Sequence, residues 1–255
     1  MPVLGDKNMM KIYIIWLRQL KRYFRSKSRI IGSIAQPLLF LLAFGFGFGP
    51  IYQKAAGENY IQFLAPGIIS MSILFTAVFS GIEIIWDRQF GFLKEMLAAP
   101  VSRFKIMIGR TFGGATVAFL QGFFVFIISL FVGFRPNFLS LPLALIFMFL
   151  IALLFTALGT SIASFLDDMQ GFQLIMSFLI MPIFFLSGAL FPLEGLPKIL
   201  GLVSSLNPLS YGVDGIRGTL VNEAYFGLIV DFTVLGILTI LFLIIGSYLF
   251  SKIEI

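Results

Sequence analysis

Six stretches of this chain run for 20 residues or more without one Asp, Glu, Lys or Arg: Ile30–Gln53, Asn59–Ile82, Thr111–Phe134, Pro136–Leu166, Met169–Leu193 and Phe232–Ser251. A helix needs about 20 apolar residues, at roughly 1.5 Å each, to cross a hydrocarbon core of about 30 Å. A charge at its centre costs roughly 2.5–3.5 kcal/mol, so each gap between charges is a candidate crossing. The fold class these gaps predict is an all-α membrane protein with six transmembrane helices. Its spans fall at about 30–52, 60–84, 108–134, 140–166, 170–191 and 228–251, within one domain covering residues 1–255. Composition agrees. The chain is 59% hydrophobic and 12% charged, with a mean hydropathy of +1.01, whereas soluble domains average about 45–50% and about 25%.

An even number of spans puts both termini on one side, and the basic residues choose the side. Eight Lys and Arg precede residue 30, five lie between Glu83 and Arg110, and Lys252 closes the chain; the other side holds Lys54, Arg135, Lys198 and Arg217. The 14 to 4 bias predicts cytoplasmic termini in a multi-pass plasma-membrane protein. It also accounts for the net charge of +6 without a nucleic-acid partner. The first apolar run starts at Ile30 and is long enough to span, so no cleaved leader is expected.

Two polar elements fall on the basic side. Over Met9–Arg25 a helical projection gathers Lys11, Arg18, Lys21, Arg22 and Arg25 on one face, opposite Met9, Ile12, Tyr13, Trp16, Leu20, Tyr23 and Phe24, with Ile14 and Ile15 as exceptions. This is the pattern of an amphipathic interfacial helix; a plain topology signal is the alternative. The loop 87–105 begins with Asp87, Arg88, Phe90, Gly91, Phe92, Lys94, Glu95 and Leu97, and Pro100 is expected to stop its short helix. Exposed Phe beside mixed charge suits a protein partner, and resting on lipid headgroups is the alternative.

On the far side, residues 192–227 are unusual for an external loop. Ile199–Val213 is charge-free but too short to cross, and it is interrupted by Gly201, Asn207 and Pro208. A re-entrant pair of short helices fits, provided that protein or water covers the backbone.

Several chemistries are excluded. The chain has no Cys and no His, hence no disulfide, no imidazole base and none of the usual zinc or haem ligands. Glu83 and Asp231 are the only acids near span interiors and read as interfacial, so ion and proton pathways find no marker. None of the nine Lys follows a Gly, so a phosphate-cradling G-x-x-x-x-G-K-[ST] loop is missing. Uphill transport would draw its energy from another polypeptide. The glycine spacings at Gly45–Gly49 and Gly109–Gly113 permit close helix contact.

Three blocks resemble the ABC type-2 exporter permeases, the family of daunorubicin-type, nodulation-factor and polysaccharide exporters. They are Trp16-Leu17-Arg18 through Gln36-Pro37-Leu38; Asp87-Arg88 through Lys94-Glu95-Met96-Leu97 and Pro100-Val101-Ser102-Arg103; and Leu186-Ser187-Gly188, Phe191-Pro192, Asn207-Pro208-Leu209-Ser210-Tyr211 and Asp214 to Arg217. The drug and nodulation branch looks closer.

The resemblance implies a six-helix permease that pairs with a second copy, as a homodimer, and sits on two copies of a separate ATPase. That ATPase binds ATP and Mg; no cofactor is expected in this chain, and it is not an enzyme by itself. By position, residues 8–29, with Trp16, Arg18, Lys21, Arg22 and Arg25, would be an interface helix resting on lipid and ATPase. Arg88, Phe90, Phe92, Lys94, Glu95, Leu97 and Pro100 would form the coupling helix, with Asp167 and Asp168 as a second contact. Ser187, Gly188, Pro192, Asn207, Pro208, Tyr211 and Arg217 would shape an outer gate. The implied function is ATP-driven export of an amphipathic drug or lipid-like molecule. A lipid-linked glycan exporter and a non-transporting membrane anchor or sensor are the competing readings.

Overall fold

The computed structural model describes residues 4–56, 59–98 and 101–253. Among the described residues the chain is all helical, with no strand. In order these are α1 (Leu4–Arg25), α2 (Lys27–Ala56), α3 (Tyr60–Phe79), α4 (Ile82–Gln89), α5 (Phe92–Ala98), α6 (Arg103–Val132), a 3-10 turn at Phe138–Ser140, α7 (Leu141–Phe165), α8 (Met169–Phe185), α9 (Lys198–Leu206), α10 (Pro208–Leu220) and α11 (Leu228–Ser251).

Five helical stretches are long and apolar enough to cross a membrane: Lys27–Lys54, Tyr60–Gln89, Arg103–Val132, Phe138–Phe165 and Leu228–Ser251. The remaining expected span is the 17-residue α8, about 25 Å long at roughly 1.5 Å per residue. Its helix ends at Phe185, where the Ser187 amide turns to the Phe184 carbonyl three residues back and Gly188 takes a left-handed φ of +75°. The stretch from Asp167 to Leu190 still runs the length of the bundle. Arg88 pairs with Asp167 at one end, and the Tyr60 hydroxyl donates to the Leu190 carbonyl at the other, 2.7 Å away.

The core is built around α3, whose residues from Phe63 to Leu74 are buried without a break. Helices α6, α7, α8 and α10 close around it, while α2 and α11 leave most of their surface exposed. With lipid as solvent, helices gain little from burying apolar area, and contact depends on close approach. Glycine supplies that approach where α3 meets α7: a Cβ on Gly159 would strike the backbone of Val78, and one on Gly81 the backbone of Gly159.

Two expectations change in detail. The second span is not one straight helix, because Ser80 and Gly81 form a turn between α3 and α4. The segment after Asp87 is likewise not one short helix. It is broken at Phe90–Gly91, where Gly91 takes φ +79°, a value that favours glycine. Arg88 therefore belongs to α4, and only Phe92, Lys94, Glu95 and Leu97 lie on α5. Pro100 lies outside the described residues.

Candidate functional site

The charged end of the bundle is held by ion pairs that join α1, the start of α2, α4 and α6. Glu83 and Asp87 are one turn apart on α4, and their side chains are only 6% and 4% exposed. Burying two carboxylates is tolerable only with charge partners and hydrogen bonds, and four arginines provide them. Arg29 reaches Glu83 at 2.8 Å, Arg18 reaches Asp87 at 3.2 Å, and Arg22 lies 3.7 Å from Glu83 and 3.9 Å from Asp87. Arg110, on α6 and as buried as Asp87, donates to that carboxylate. Arg22 also sits 5.4 Å above the Trp86 ring. Glu83 is thus a buried ion-pair partner and not a headgroup-solvated residue. Asp231, read in the same way, is fully buried at the start of α11.

This cluster anchors α1, which packs lengthwise on α6 and does not rest on lipid alone. Gly109 and Gly113 make room for it: a Cβ on Gly109 would lie 2.9 Å from the Ile15 Cβ, and one on Gly113 2.7 Å from the Gln19 Cγ. The glycine spacing read as a close-contact motif therefore receives a helix of the same chain. Trp16 donates from Nε1 to the Thr116 hydroxyl at 3.0 Å, and Tyr23 donates to Gln121 Oε1 at 2.7 Å. Burial pushes the Tyr23 phenol above its ordinary pKa, with Arg29 opposing, so the hydroxyl stays a donor. Trp16 and Tyr23, expected on the lipid face, face α6. Met9, Met10, Tyr13, Ile14 and Phe24 remain exposed, as do Lys21 and Arg25 on the charged face.

Next to the cluster, α5 hangs from one buried side chain. Leu93 is fully buried and Leu97 half-buried against the core, while Phe90, Phe92, Lys94 and Glu95 point outward. Arg88 turns inward to the α7–α8 connection. It donates to the carbonyls of Ser164 and Leu166, 3.3 Å each, and pairs with Asp167. Asp168 caps α8 by accepting from the Gly171 amide. The structure thus brings Arg88 and Asp167 into contact and leaves Asp168 beside them as a helix cap.

The residues 187–217 gather at the opposite end. Gly188 takes φ +75°, and its carbonyl accepts from Arg217 at 2.9 Å. The same Arg217 nitrogen donates to the Phe63 carbonyl at 3.2 Å, and the guanidinium lies 3.9 Å from the Phe63 ring centre. Arg217 was counted as an outward charge. It is 7% exposed and ties α10 to the start of α3 and the turn after α8. Asn207 donates to the Ile183 carbonyl at 2.6 Å while its Oδ1 accepts from the Leu209 amide, capping α10 ahead of Pro208. Tyr211 donates to the Ser205 carbonyl at 2.6 Å and stacks on Phe226. Ser187 is buried on the Phe184 carbonyl, whereas Pro192 is exposed at the rim of a cavity of about 570 Å³.

Residues that the sequence reading missed are Glu83, Asp87 and Arg110 as a buried cluster, Leu93 as the anchor of α5, and Gly109 with Gly113 as the seat of α1. The signal for the first set was two acids four residues apart at the end of an apolar run.

A bundle of long apolar helices, with a charged cluster confined to one end and no group of His, Cys, Asp and Glu able to hold a metal among the described residues, has the build of a multi-pass membrane protein. Residues 10–221 match the family model described as ABC-2 type transporter. The chain is 31% identical to a putative transport permease ycf38 of Cyanophora paradoxa, over 95% of this chain and 88% of that protein. It is 28% identical to nodulation protein J of Rhizobium leguminosarum bv. viciae, over 82% of each. It is also 28% identical to the inner membrane transport permease YadH of Escherichia coli K12, over 91% of each. The chain belongs to the ABC-2 type transporter family, whose permeases work with an ATPase partner.

Proposed function

We propose that this chain is the permease subunit of an ATP-driven exporter that moves an amphipathic drug-like or lipid-like molecule out across the plasma membrane. The observation that carries the reading is the construction of the charged end. Exposed Phe90, at the break before it, and Phe92, Lys94 and Glu95 on the short helix α5 are joined, through Arg88–Asp167 and the ion pairs of Asp87, to α1, α6 and the α7–α8 turn. A rigid bundle with one protruding handle suits a machine driven by a separate motor.

On this reading α5 is the coupling helix. Arg88 and Asp167 are bracing residues behind it, and Pro100 ends the segment. α1 is the interface helix. α8, continued by the turn to Leu190, is the fifth crossing in chain order and brings the number to six, which puts both termini in the cytoplasm, as the basic bias requires. Its 17 helical residues suffice because a short span is met by local thinning of the bilayer. α9 and α10 then form the re-entrant outer pair, held by Asn207, Tyr211 and Arg217. Two permease copies and two ATPase subunits make the working unit, and ATP and Mg bind to the ATPase subunits.

Purification of the tagged chain from its native membrane should bring down a P-loop ATPase. Vesicles containing both proteins should accumulate a fluorescent amphiphile only with ATP. A particle without an ATPase overturns the reading.

A further inference from the structure

An open groove of about 980 Å³ follows the charged face of α1 and bends round the Ser26 break to the start of α2. Arg18, Lys21, Arg22, Arg25 and Lys27 line it together with Ile14 and Leu17, and no carboxylate is among the lining residues. The carboxylates behind it do not neutralise it. Glu83 and Asp87 are shared among four guanidiniums, those of Arg18, Arg22, Arg29 and Arg110, which leaves two positive charges over. Lys21, Arg25 and Lys27 add three more, all on exposed side chains. Arg18 and Arg22 are pinned from behind by Asp87 and Glu83, so part of the ordering cost of a binding site is already met.

Position and chemistry together define what fits. The groove ends at Ser28, where the span Lys27–Lys54 begins, so it opens at the depth of the lipid headgroups. Ile14, which is exposed, and Leu17 line it among the cations and offer apolar contact. A folded acidic protein would meet the cations but leave these side chains unmatched; an amphiphile with an anionic head meets both. We propose that the α1–α2 elbow is a binding site for the phosphate headgroup of an anionic phospholipid, with Lys21, Arg25 and Lys27 as its main cations. The site follows from the groove and the span, and it rests on the exporter reading only for the leaflet, the cytoplasmic one.

The test uses the purified full chain in detergent with equimolar phosphatidylglycerol and phosphatidylcholine of identical acyl chains, read by native mass spectrometry. Retention should favour the anionic lipid by on the order of tenfold, and the preference should fade as salt rises. K21Q/R25Q/K27Q should bring the two lipids to parity, K21R/K27R should keep the preference, and K54Q/K198Q at the opposite end should leave it intact. A triple variant that retains the preference overturns the site. Equal retention by the wild type would leave the groove to an acidic protein surface and overturn it too, and displacement of the lipid by an equal concentration of inorganic phosphate would make it a free-phosphate site. No ATPase or transport enters this assay, so its failure is separate from failure of the exporter reading.

Discussion

Replacing Asp87 by Asn is the sharpest perturbation of the charged cluster, because it changes the charge while keeping the shape. Asp87 and Arg110 are 4% and 3% exposed, and Arg110 Nε and Nη1 have no hydrogen-bond partner. The carboxylate is therefore the main compensation for a buried guanidinium. Removing one partner of such a pair costs about 3–5 kcal/mol, since the other charge stays buried alone. The remaining contacts of Asp87 add little: the Arg18 and Arg22 side chains are 42% and 37% exposed, and pairs open to solvent contribute about 1 kcal/mol or less. At roughly 2–4 °C per kcal/mol, the midpoint of thermal unfolding in nanodiscs should fall by about 6–20 °C. Adding Arg110→Met removes the orphaned charge, so the double variant should be more stable than Asp87→Asn alone, with a coupling of about 1–3 kcal/mol. A full double-mutant cycle by scanning fluorimetry reads both quantities. Wild-type stability of Asp87→Asn, or strict additivity of the two changes, refutes the buried pair as the anchor of this end.

The other predictions address separate parts of the molecule. Gly113→Leu should push α1 away from α6, since a Cβ there already lies 2.7 Å from Gln19; protease nicking near residue 26 should rise while the rest of the bundle stays protected. Gly188→Ala puts a side chain at φ +75° and 2.8 Å from the Leu193 Cγ, at a cost of roughly 1–2 kcal/mol from the backbone alone, seen as a lower unfolding midpoint. Arg217→Glu should reduce the folded yield, because it sets a carboxylate against the carbonyls of Phe63 and Gly188. Phe92→Ala combined with Glu95→Ala alters only exposed side chains of α5; membrane insertion should survive and substrate-stimulated ATP hydrolysis should fall, and unchanged export would remove α5 from the coupling role.

What was legible in the sequence followed from local rules. Long charge-free runs marked five helices able to cross a membrane, and Asn207-Pro208 announced a capped helix start because both residues act within their own turn. The losses came from pairings distant in sequence. Glu83 looked like a span-end charge destined for headgroups and Asp87 like the start of a docking loop; their partners at Arg18, Arg22 and Arg29 lie more than 50 residues away, in a segment read as lying on the membrane. Arg217 was counted as an outward charge because its acceptors are backbone carbonyls, 154 and 29 residues distant, which no composition reveals. Gly109 and Gly113 announced a close approach without naming the helix that makes it. The fifth span was read as a plain helix because the gap between charges is longer than the helix inside it, which ends at Phe185.

The two ends of the bundle are fastened by different physics. At the charged end the fasteners are long side chains sharing carboxylates, with Arg22 placed between Glu83 and Asp87 at similar distances. Within it Arg22 could exchange one acceptor for the other on a small shift of α1, while the buried Asp87–Arg110 pair keeps α4 on α6. At the opposite end the fasteners are short and backbone-directed. Gly67 leaves no room for a Cβ against Ala189, Gly188 holds a left-handed turn, and Arg217 and Asn207 donate to main-chain carbonyls. That joint has no alternative register, because packed backbones have discrete arrangements and do not deform continuously. A push on α5 would thus be absorbed first by sliding at the ion pairs and would reach the far end only once those pairs reach their limit. Shortening Arg22 to Lys, which keeps the charge but loses the guanidinium's planar fork, should stiffen that joint and lower the threshold. Substrate-free ATP hydrolysis by the complex measures this directly and should rise relative to the wild type, whereas a fall would place the compliant element elsewhere.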